Sequence, residues 1–249
     1  MGLMHEKRKN VKPARVLCFD LDNTLIDGSG SKDAILRTCA QLAAATGLDA
    51  ARLFEANSRV WQTYWPEVER KWTLGALTGT AVSSEAWRRT LLTCGRNDES
   101  LVQLAREVHS RHAREAVRLF DDARELLNIP KSHVPFALIT NGASDTQRNT
   151  LRILGIEEKF DTVVISGEVG IAKPDPSIFG LALQKLGVEP ENAWHVGDSL
   201  GTDVAGALDA ELVAVWLNRA EVSRNEGDPK PDYEIHSLRE LTALLSVQT

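Results

Sequence analysis

The chain has 249 residues, of which 43% are hydrophobic and 26% charged, and its formal net charge is −6. This length is enough for one large domain or two unequal ones with cores of their own, so a disulfide-dependent miniprotein is excluded. The acidic balance also disfavours a nucleic-acid polymer as partner, because phosphate neutralisation requires a basic surface.

The cysteine spacing and the lengths of the apolar runs help to predict the cellular compartment. Cys18, Cys39 and Cys94 are widely spaced and form no CxxC pair, which is typical of a reducing environment. The chain has a basic cluster near residue 10, which lacks the apolar stretch of a signal peptide: Lys7, Arg8, Lys9, Lys12 and Arg15. No run approaches the ~18 apolar residues of a membrane span. We therefore expect a cytoplasmic protein with no membrane partner.

The first predicted element is a short strand, Val16–Phe19, which stops abruptly at Asp20. It is apolar on both faces, as strands inside parallel sheets are. From about Ser29 to Val117 no clear strand follows, and the pattern indicates successive amphipathic helices inserted into the fold. This insertion contains Trp61, Trp65, Trp72 and Trp87. We expect these rings to fill the insertion's own core; the alternative is that some of them line a pocket.

Beyond residue 117, apolar runs alternate with helical patterns. Strands are predicted at 134–139, 162–165, 193–196, 212–216 and 233–235, and helices at 145–154, 176–186, 201–210 and 238–245; a polar stretch from Arg219 to Pro231 is expected to be a surface loop. Strand and helix in repeated alternation predict an α/β fold with a parallel sheet covered by helices on both faces. The predicted domains are an α/β core of residues 1–28 and 117–249 and a helical cap of residues 29–116.

Polar residues follow the predicted strands where ligands bind in an open parallel sheet, at the carboxyl ends. They are Asp20-Leu21-Asp22-Asn23-Thr24, Thr140-Asn141-Gly142, Lys173-Pro174-Asp175-Pro176, and Gly197-Asp198-Ser199 with Asp203 beyond. Several carboxylates at one rim repel one another unless cations compensate them. A lysine supplies one positive charge, and Mg²⁺ suits the rest because it accepts carboxylates and phosphate oxygens. The set predicts a metal-assisted phosphoryl site.

These residues, in this order, resemble the four motifs of the haloacid dehalogenase-like hydrolase superfamily. The helical insertion lies where that family places its C1-type cap. The Asp-Leu-Asp-Asn-Thr-Leu opening and the Lys-Pro-Asp-Pro loop are similar to the branch that contains N-acylneuraminate 9-phosphatase and related sugar- or nucleotide-phosphate phosphatases. The resemblance implies a Rossmann-like, three-layer α/β/α core and a Mg²⁺-dependent phosphatase.

The resemblance also implies a role for each motif residue. Asp20 is the expected nucleophile, which forms an aspartyl-phosphate, and Asp22 the general acid and base. Lys173 is expected to stabilise charge and, with Leu21, Thr140 and Asn141, to bind the phosphate. The expected Mg²⁺ ligands are Asp20, the Asp22 backbone carbonyl and Asp198, with Asp203 orienting them or ligating occasionally. His195 is expected to be a core residue, because strand alternation turns it away from the Asp198 rim.

Three alternatives remain to be weighed against a phosphatase of a small phosphorylated metabolite. Halide displacement needs neither a proton nor a divalent metal, so Asp22 and Asp198 disfavour a 2-haloacid dehalogenase. A phosphomutase uses the same two aspartates and stays open. A receiver-like phospho-accepting regulatory domain is about half this length, has no such insertion and places an acidic pair before its phosphorylated Asp. The substrate and the oligomeric state, monomer or homodimer, are left open by the sequence.

Overall fold

The computed structural model describes residues 12–129 and 134–246, so Lys7, Arg8 and Lys9 lie outside the described residues. The chain divides into two compact units. The sheet unit contains the described residues of 1–26, 119–141 and 156–249, and the helical unit contains residues 27–118 and 142–155. The chain therefore leaves the sheet unit after its first strand and returns to it more than ninety residues later.

The sheet unit is built on six parallel strands in the order β3-β2-β1-β4-β5-β6. They are β1 (Val16–Phe19), β2 (Phe136–Thr140), β3 (Thr162–Ile165), β4 (Ala193–Gly197), β5 (Val213–Leu217) and β6 (Tyr233–Ile235). Every residue of β1, β4 and β5 is buried, as their predominantly apolar sequences predict. The predicted α/β fold with a Rossmann-like parallel core is confirmed.

The helical unit contains helices α1 to α4 and α6, and the sheet unit contains α5 and α7 to α10. Their bounds are α1 (Gly30–Thr46), α2 (Ala50–Thr73), α3 (Gly79–Thr93), α4 (Glu99–Ala116), α5 (Asp121–Leu127), α6 (Ser144–Leu154), α7 (Ser166–Val169), α8 (Pro176–Leu186), α9 (Ala205–Asp209) and α10 (Leu238–Ser246). Strands β1 to β5 pack on α8 and α9 through one apolar cluster that includes Cys18, Ile139, Phe179 and Val204.

Several predicted boundaries differ from the observed ones, and two of the differences have local reasons. Strand β2 begins at Phe136 instead of Val134, because Pro135 has no N–H to donate to a neighbouring strand. The helix predicted over 201–210 begins as a wider π-type turn, Leu200–Val204, and only then continues as α9. In this turn the N–H groups of Asp203 and Val204 both donate to the Ser199 carbonyl, at 2.9 and 3.1 Å. The wider turn brings the Asp203 side chain into the interior, where it is 2% exposed.

The helical unit holds two apolar clusters. One surrounds the fully buried Trp87 and contains residues of α1 to α4. The other lies between α2 and α3, with Trp61, Trp65 and Trp72 half-buried at its edge. The ring centroids of Trp61 and Trp65 are 6.0 Å apart, and those of Trp65 and Trp72 are 5.3 Å apart. The prediction that the tryptophans fill the insertion's own core is confirmed for Trp87, whereas the other three are only partly covered.

The segment 142–155 belongs to the helical unit, although the sequence assigned it to the α/β core. The carboxylate of Asp145 accepts hydrogen bonds from the N–H groups of Gly79 (2.8 Å) and Thr80 (3.0 Å) and from the Thr80 hydroxyl (3.0 Å), at the start of α3. Gly142, with φ +149°, lies against Trp72, whose Cη2 would be 2.7 Å from a Cβ atom at that position. These contacts join the segment 142–155 to α2 and α3, and they connect residues too distant in sequence for a local pattern to reveal.

We expect Asp145→Asn to lower the free energy of unfolding by about 1–2 kcal/mol at neutral pH. Burial acts to raise the pKa of Asp145, but the N–H bonds from Gly79 and Thr80 outweigh it and hold the pKa below its usual value. A lowered folded pKa stabilises the protein above the unfolded pKa and loses that effect as pH falls through the folded pKa. The difference between the two proteins should therefore shrink in acid, as measured by urea unfolding at several pH values.

The matched control is Asp33→Asn, which removes an exposed carboxylate from the first turn of α1. It deletes the same kind of charge at a helix N-terminus without the Gly79 and Thr80 bonds. Equal losses in the two variants would show that the charge alone, and not this set of hydrogen bonds, stabilises the helical unit.

Candidate active site

The loop after β1 presents two aspartates in different environments. Asp20 follows the strand directly, is 7% exposed, and donates its backbone N–H to the Val196 carbonyl at 3.0 Å. The chain then turns sharply, with Asn23 at φ +59° and the N–H groups of Leu25 and Ile26 both donating to the Leu21 carbonyl at 3.0 Å. The turn leaves Asp22 and Asn23 exposed between the buried residues Leu21 and Thr24. The backbone therefore leaves the direction of β1 at Asn23.

The end of β4 supplies Asp198 and makes room for Asp203. A Cβ atom at Gly197 would overlap the Asp203 carboxylate, so only glycine fits there. The Asp203 Oδ2 accepts from the Ser199 N–H at 3.1 Å. The Asp198 backbone is held from the other side, because the Trp216 indole donates to its carbonyl at 2.9 Å.

Lys173 lies at the centre of the site and is 4% exposed. Its Nζ donates to Asp20 Oδ1 at 2.6 Å and to Asp203 Oδ1 at 2.7 Å. Its backbone is clamped by the Asn141 side chain, whose Oδ1 accepts from the Lys173 N–H and whose Nδ2 donates to the Lys173 carbonyl, both at 2.9 Å. The ammonium group is therefore fixed between two carboxylates by contacts at both ends of the residue.

The structure places the remaining predicted phosphate ligands at the same rim. Thr140 ends β2 and is buried, and Leu21 follows Asp20 with its side chain in the core. The Asn141 side chain already pairs with the Lys173 backbone, a function that the sequence pattern did not reveal. The phosphate-binding roles of Leu21, Thr140 and Asn141 stay predictions.

Three carboxylates of the described residues converge closely enough to share a cation. Oxygen atoms of Asp20, Asp198 and Asp203 lie within 4.8 Å of one another. Hard divalent cations prefer such all-oxygen donor sets. Lys173 supplies a single positive charge to this group, so a divalent ion fits the chemistry of the donor set.

The crowded charges shift the pKa values of the site in opposite directions. Burial, with repulsion from Asp203 and Asp22, raises the pKa of Asp20 to about 8 in spite of the neighbouring ammonium. Burial and Asp203 likewise raise the pKa of Asp198 to about 6. Burial also opposes ionisation of Asp203, but Lys173 and His195 outweigh it and hold the pKa of Asp203 below its usual value. Asp203 is thus the carboxylate that balances Lys173, whereas burial opposes the ionisation of Asp20.

His195 is a core residue that also reaches the site. It is 1% exposed and packs edge-on against Phe179, with ring centroids 4.9 Å apart. Its Nε2 lies 2.9 Å from Asp203 Oδ1, whereas Nδ1 is buried without a partner. Since Asp203 is a carboxylate, Nε2 carries the proton. The expectation of a buried histidine is confirmed, but the contact with Asp203 was missed because Asp203 approaches it from the wider turn after β4.

Comparison with known proteins adds independent information. A family model described as haloacid dehalogenase-like hydrolase matches residues 14–211. A phosphoserine phosphatase of Thermus thermophilus is 35% identical over 248 residues, covering 91% of this chain and 97% of that protein. Human N-acylneuraminate-9-phosphatase is 39% identical over 128 residues, covering 51% of this chain and 52% of that protein. The crystal structure of a 2-haloacid dehalogenase from Pseudomonas syringae pv. Tomato is similar with a TM-score of 0.68 and 27% identity, covering 95% of this chain and 100% of that one.

Within residues 12–129 and 134–246, no helix combines the length and the apolar character needed to cross a bilayer.

Proposed function

The chain belongs to the haloacid dehalogenase-like hydrolases, and from that premise we propose that it is a Mg²⁺-dependent phosphatase of a small phosphorylated metabolite, of the sugar phosphate or nucleotide monophosphate class. The observation that carries the proposal is the cluster of the buried Asp20 and Asp203, which both pair with Lys173, and the half-buried Asp198, with the exposed Asp22 two residues beyond Asp20. Two relatives named as phosphatases, of phosphoserine and of N-acylneuraminate 9-phosphate, support a phosphoric monoester hydrolase.

The proposed reaction has two steps. In the first, a carboxylate oxygen of Asp20 attacks phosphorus, the bond from phosphorus to the ester oxygen breaks, and Asp22 gives its proton to the departing alkoxide. In the second, Asp22 takes a proton from water, the water oxygen attacks phosphorus of the aspartyl-phosphate, and Asp20 and inorganic phosphate are released. The exposure of Asp22 suits a group that must contact both the leaving alcohol and water. The burial of Asp20 suits a nucleophile that must stay in one position.

The cation would be held by Asp20, Asp198 and the Asp22 backbone carbonyl, beside Asp203. When bound, Mg²⁺ supplies positive charge that offsets the charge of the phosphoryl oxygens. Lys173 contributes in the same direction and holds Asp20 in place through the 2.6 Å bond. Thr140 and the backbone N–H groups at the ends of β1 and β2 are proposed to bind the remaining phosphoryl oxygens.

A 2-haloacid dehalogenase is a second candidate, because a solved dehalogenase shares this fold at 27% identity. Displacement of halide leaves an anion that needs no proton, so the reaction has no use for Asp22 or for a cation at Asp198. The phosphatase accounts for both residues.

The test is a panel of sugar phosphates, nucleoside monophosphates and phosphoserine, incubated with the purified chain in Mg²⁺ and in EDTA, with 2-chloropropionate as the dehalogenase substrate. We expect inorganic phosphate from at least one ester, abolished by EDTA. Halide release without phosphate release would establish the dehalogenase instead. Transfer of the phosphoryl group to another hydroxyl of a sugar phosphate would establish a phosphomutase.

We expect Asp22→Asn to separate catalysis from metal binding. The rate of phosphate release should fall by about 10²–10⁴-fold, because the variant lacks the general acid and base. It should retain Mg²⁺ affinity, since the proposed ligand is the backbone carbonyl. Calorimetric titration with Mg²⁺ measures this, and a lost binding signal would contradict the role assigned to Asp22.

Mg²⁺ binding is expected to depend on pH. Because burial raises the pKa of Asp20 to about 8, the cation must displace a proton below that value. The apparent affinity should rise up to about tenfold per pH unit up to about pH 8 and then level off. Calorimetry in two buffers of different ionisation enthalpy counts the released proton, and an unchanged affinity between pH 6 and 8 would contradict this.

A further inference from the structure

Arg219 is held inside the sheet unit, although the sequence placed it at the start of a surface loop. It follows β5, and its guanidinium forms a bidentate pair with Asp122, from Nη1 to Oδ2 at 2.9 Å and from Nη2 to Oδ1 at 3.0 Å. The same Nη2 donates to the backbone carbonyl of Thr24 at 2.9 Å. The guanidinium carbon lies 3.9 Å from the centroid of the Phe120 ring.

Asp122 is itself immobilised. It is 5% exposed in the first turn of α5, and its Oδ2 also accepts from the Ser237 hydroxyl and from the Leu238 N–H, both at 2.8 Å. Two parallel bonds to a carboxylate fixed in this way leave the guanidinium plane little freedom. Arg219 therefore presents Nη2 to Thr24 in one orientation, which a lysine could not reproduce because it lacks the planar fork.

The carbonyl that Arg219 holds belongs to the turn that carries Asp22. Residues 21–26 fold back on the Leu21 carbonyl, and Thr24 lies between Asp22 and the point where the chain leaves the sheet unit. At that point Ile26 bridges to Leu119, and the Phe120 N–H donates to the Leu25 carbonyl at 2.9 Å. The Asp22 side chain is exposed, so packing in the core does not set its place.

We infer that Arg219 is a positioning residue, which anchors Thr24 to Asp122 and thereby holds Asp22 where it protonates the leaving alkoxide. The inference rests on the proposed phosphatase reaction. Protonation of the departing oxygen by Asp22 matters greatly for a poor leaving group and little for a good one. Loss of Arg219 should therefore affect substrates according to their leaving group, which a merely structural defect would not do.

The test compares kcat/KM for benzyl phosphate, an alkyl ester, with kcat/KM for p-nitrophenyl phosphate, whose leaving group is stable without a proton. For Arg219→Lys we expect a loss of about 10²-fold with benzyl phosphate, the effect of misplacing a catalytic group by about 1 Å. With p-nitrophenyl phosphate we expect a loss below about threefold. Equal losses with both esters, or no loss with either, would overturn the inference.

The matched control is Arg239→Gln, since Arg239 also pairs with a carboxylate through two bonds, to Glu125, but on the exposed side of α5 and α10. It should leave both kcat/KM values unchanged. Should Arg219→Lys not fold, Asp122→Asn weakens the same anchor while keeping the shape of the side chain. Phosphate release from neither of these esters and from no ester of the metabolite panel by the unmodified chain would overturn the proposed function instead.

A second measurement does not depend on activity. Hydrogen exchange of the Leu25 and Ile26 amides reports whether the turn stays closed on the Leu21 carbonyl. We expect exchange to accelerate at least about tenfold in Arg219→Lys and to stay unchanged in Arg239→Gln. Unchanged protection in the Arg219 variant would show that the turn holds Asp22 without this anchor.

Discussion

Replacing Asp20 with asparagine is expected to lower phosphate release by at least about 10⁴-fold, the scale at which removal of a nucleophile acts in enzymes with covalent intermediates. The amide has nearly the same shape and can still accept the Lys173 hydrogen bond, so the site should keep its geometry. The neighbouring Asp203 cannot substitute, because Lys173 and His195 already occupy its Oδ1. Phosphate release in saturating Mg²⁺ measures the effect.

The stability of this variant distinguishes chemistry from unfolding. Because the folded pKa of Asp20 is raised, its carboxyl favours folding in acid, and that contribution is lost as pH rises through about 8. Asp20→Asn should therefore melt at the same temperature as the unmodified chain or higher at neutral pH. Asp209→Asn, an exposed position on α9, serves as the control. Activity that survives in Asp20→Asn would exclude Asp20 as the nucleophile.

Replacing Lys173 with methionine should damage both activity and stability. Its ammonium is the positive charge that Asp20 and Asp203 share at 2.6 and 2.7 Å, and all three groups are buried. Removal leaves buried carboxylates uncompensated, which typically costs about 3–5 kcal/mol. The rate should fall by about 10²–10³-fold, since preorganised positive charge beside the phosphoryl group is lost.

Thermal melting with and without Mg²⁺ adds a sharper criterion. A divalent cation between the three carboxylates should stabilise Lys173→Met more than the unmodified chain, because it replaces the missing charge. Lys185→Met, which removes an exposed ammonium from the last turn of α8, is the matched control. If Lys173→Met melts like Lys185→Met and keeps its activity, Lys173 is not the charge that holds this site together.

The parts of the fold that could be predicted from the sequence are those whose burial is uniform. The central strands β1, β4 and β5 are buried at every position, so their apolar runs stand out without any knowledge of their neighbours. The placement of residues 142–155 in the helical unit could not be predicted in this way, because it depends on Asp145 reaching Gly79 and Thr80. The apolar periodicity of α6 contains no information about that contact.

The same distinction holds for the candidate site. Asp20, Lys173, Asp198 and Asp203 could be identified because each follows a strand or a loop at the carboxyl edge of a parallel sheet, and the structure brings them together. The contacts that hold these residues in place could not be predicted, because they join positions that are remote in the sequence. Arg219 lies in a stretch with the composition of a surface loop, and its partners Thr24 and Asp122 are 195 and 97 positions away.

The interruption of the sheet unit by the helical one has a kinetic consequence. Strand β1 is central, but its neighbours come late in the chain: Leu17 pairs with Phe136, and Val16 pairs with Ala193. During synthesis, helices α1 to α4 are complete while β1 still has no partner, and pairing across such sequence separations is slow. The strand that precedes Asp20 is thus among the first parts of the chain to be made and among the last to be enclosed, so an unfinished chain carries the proposed nucleophile directly after an unpaired apolar strand.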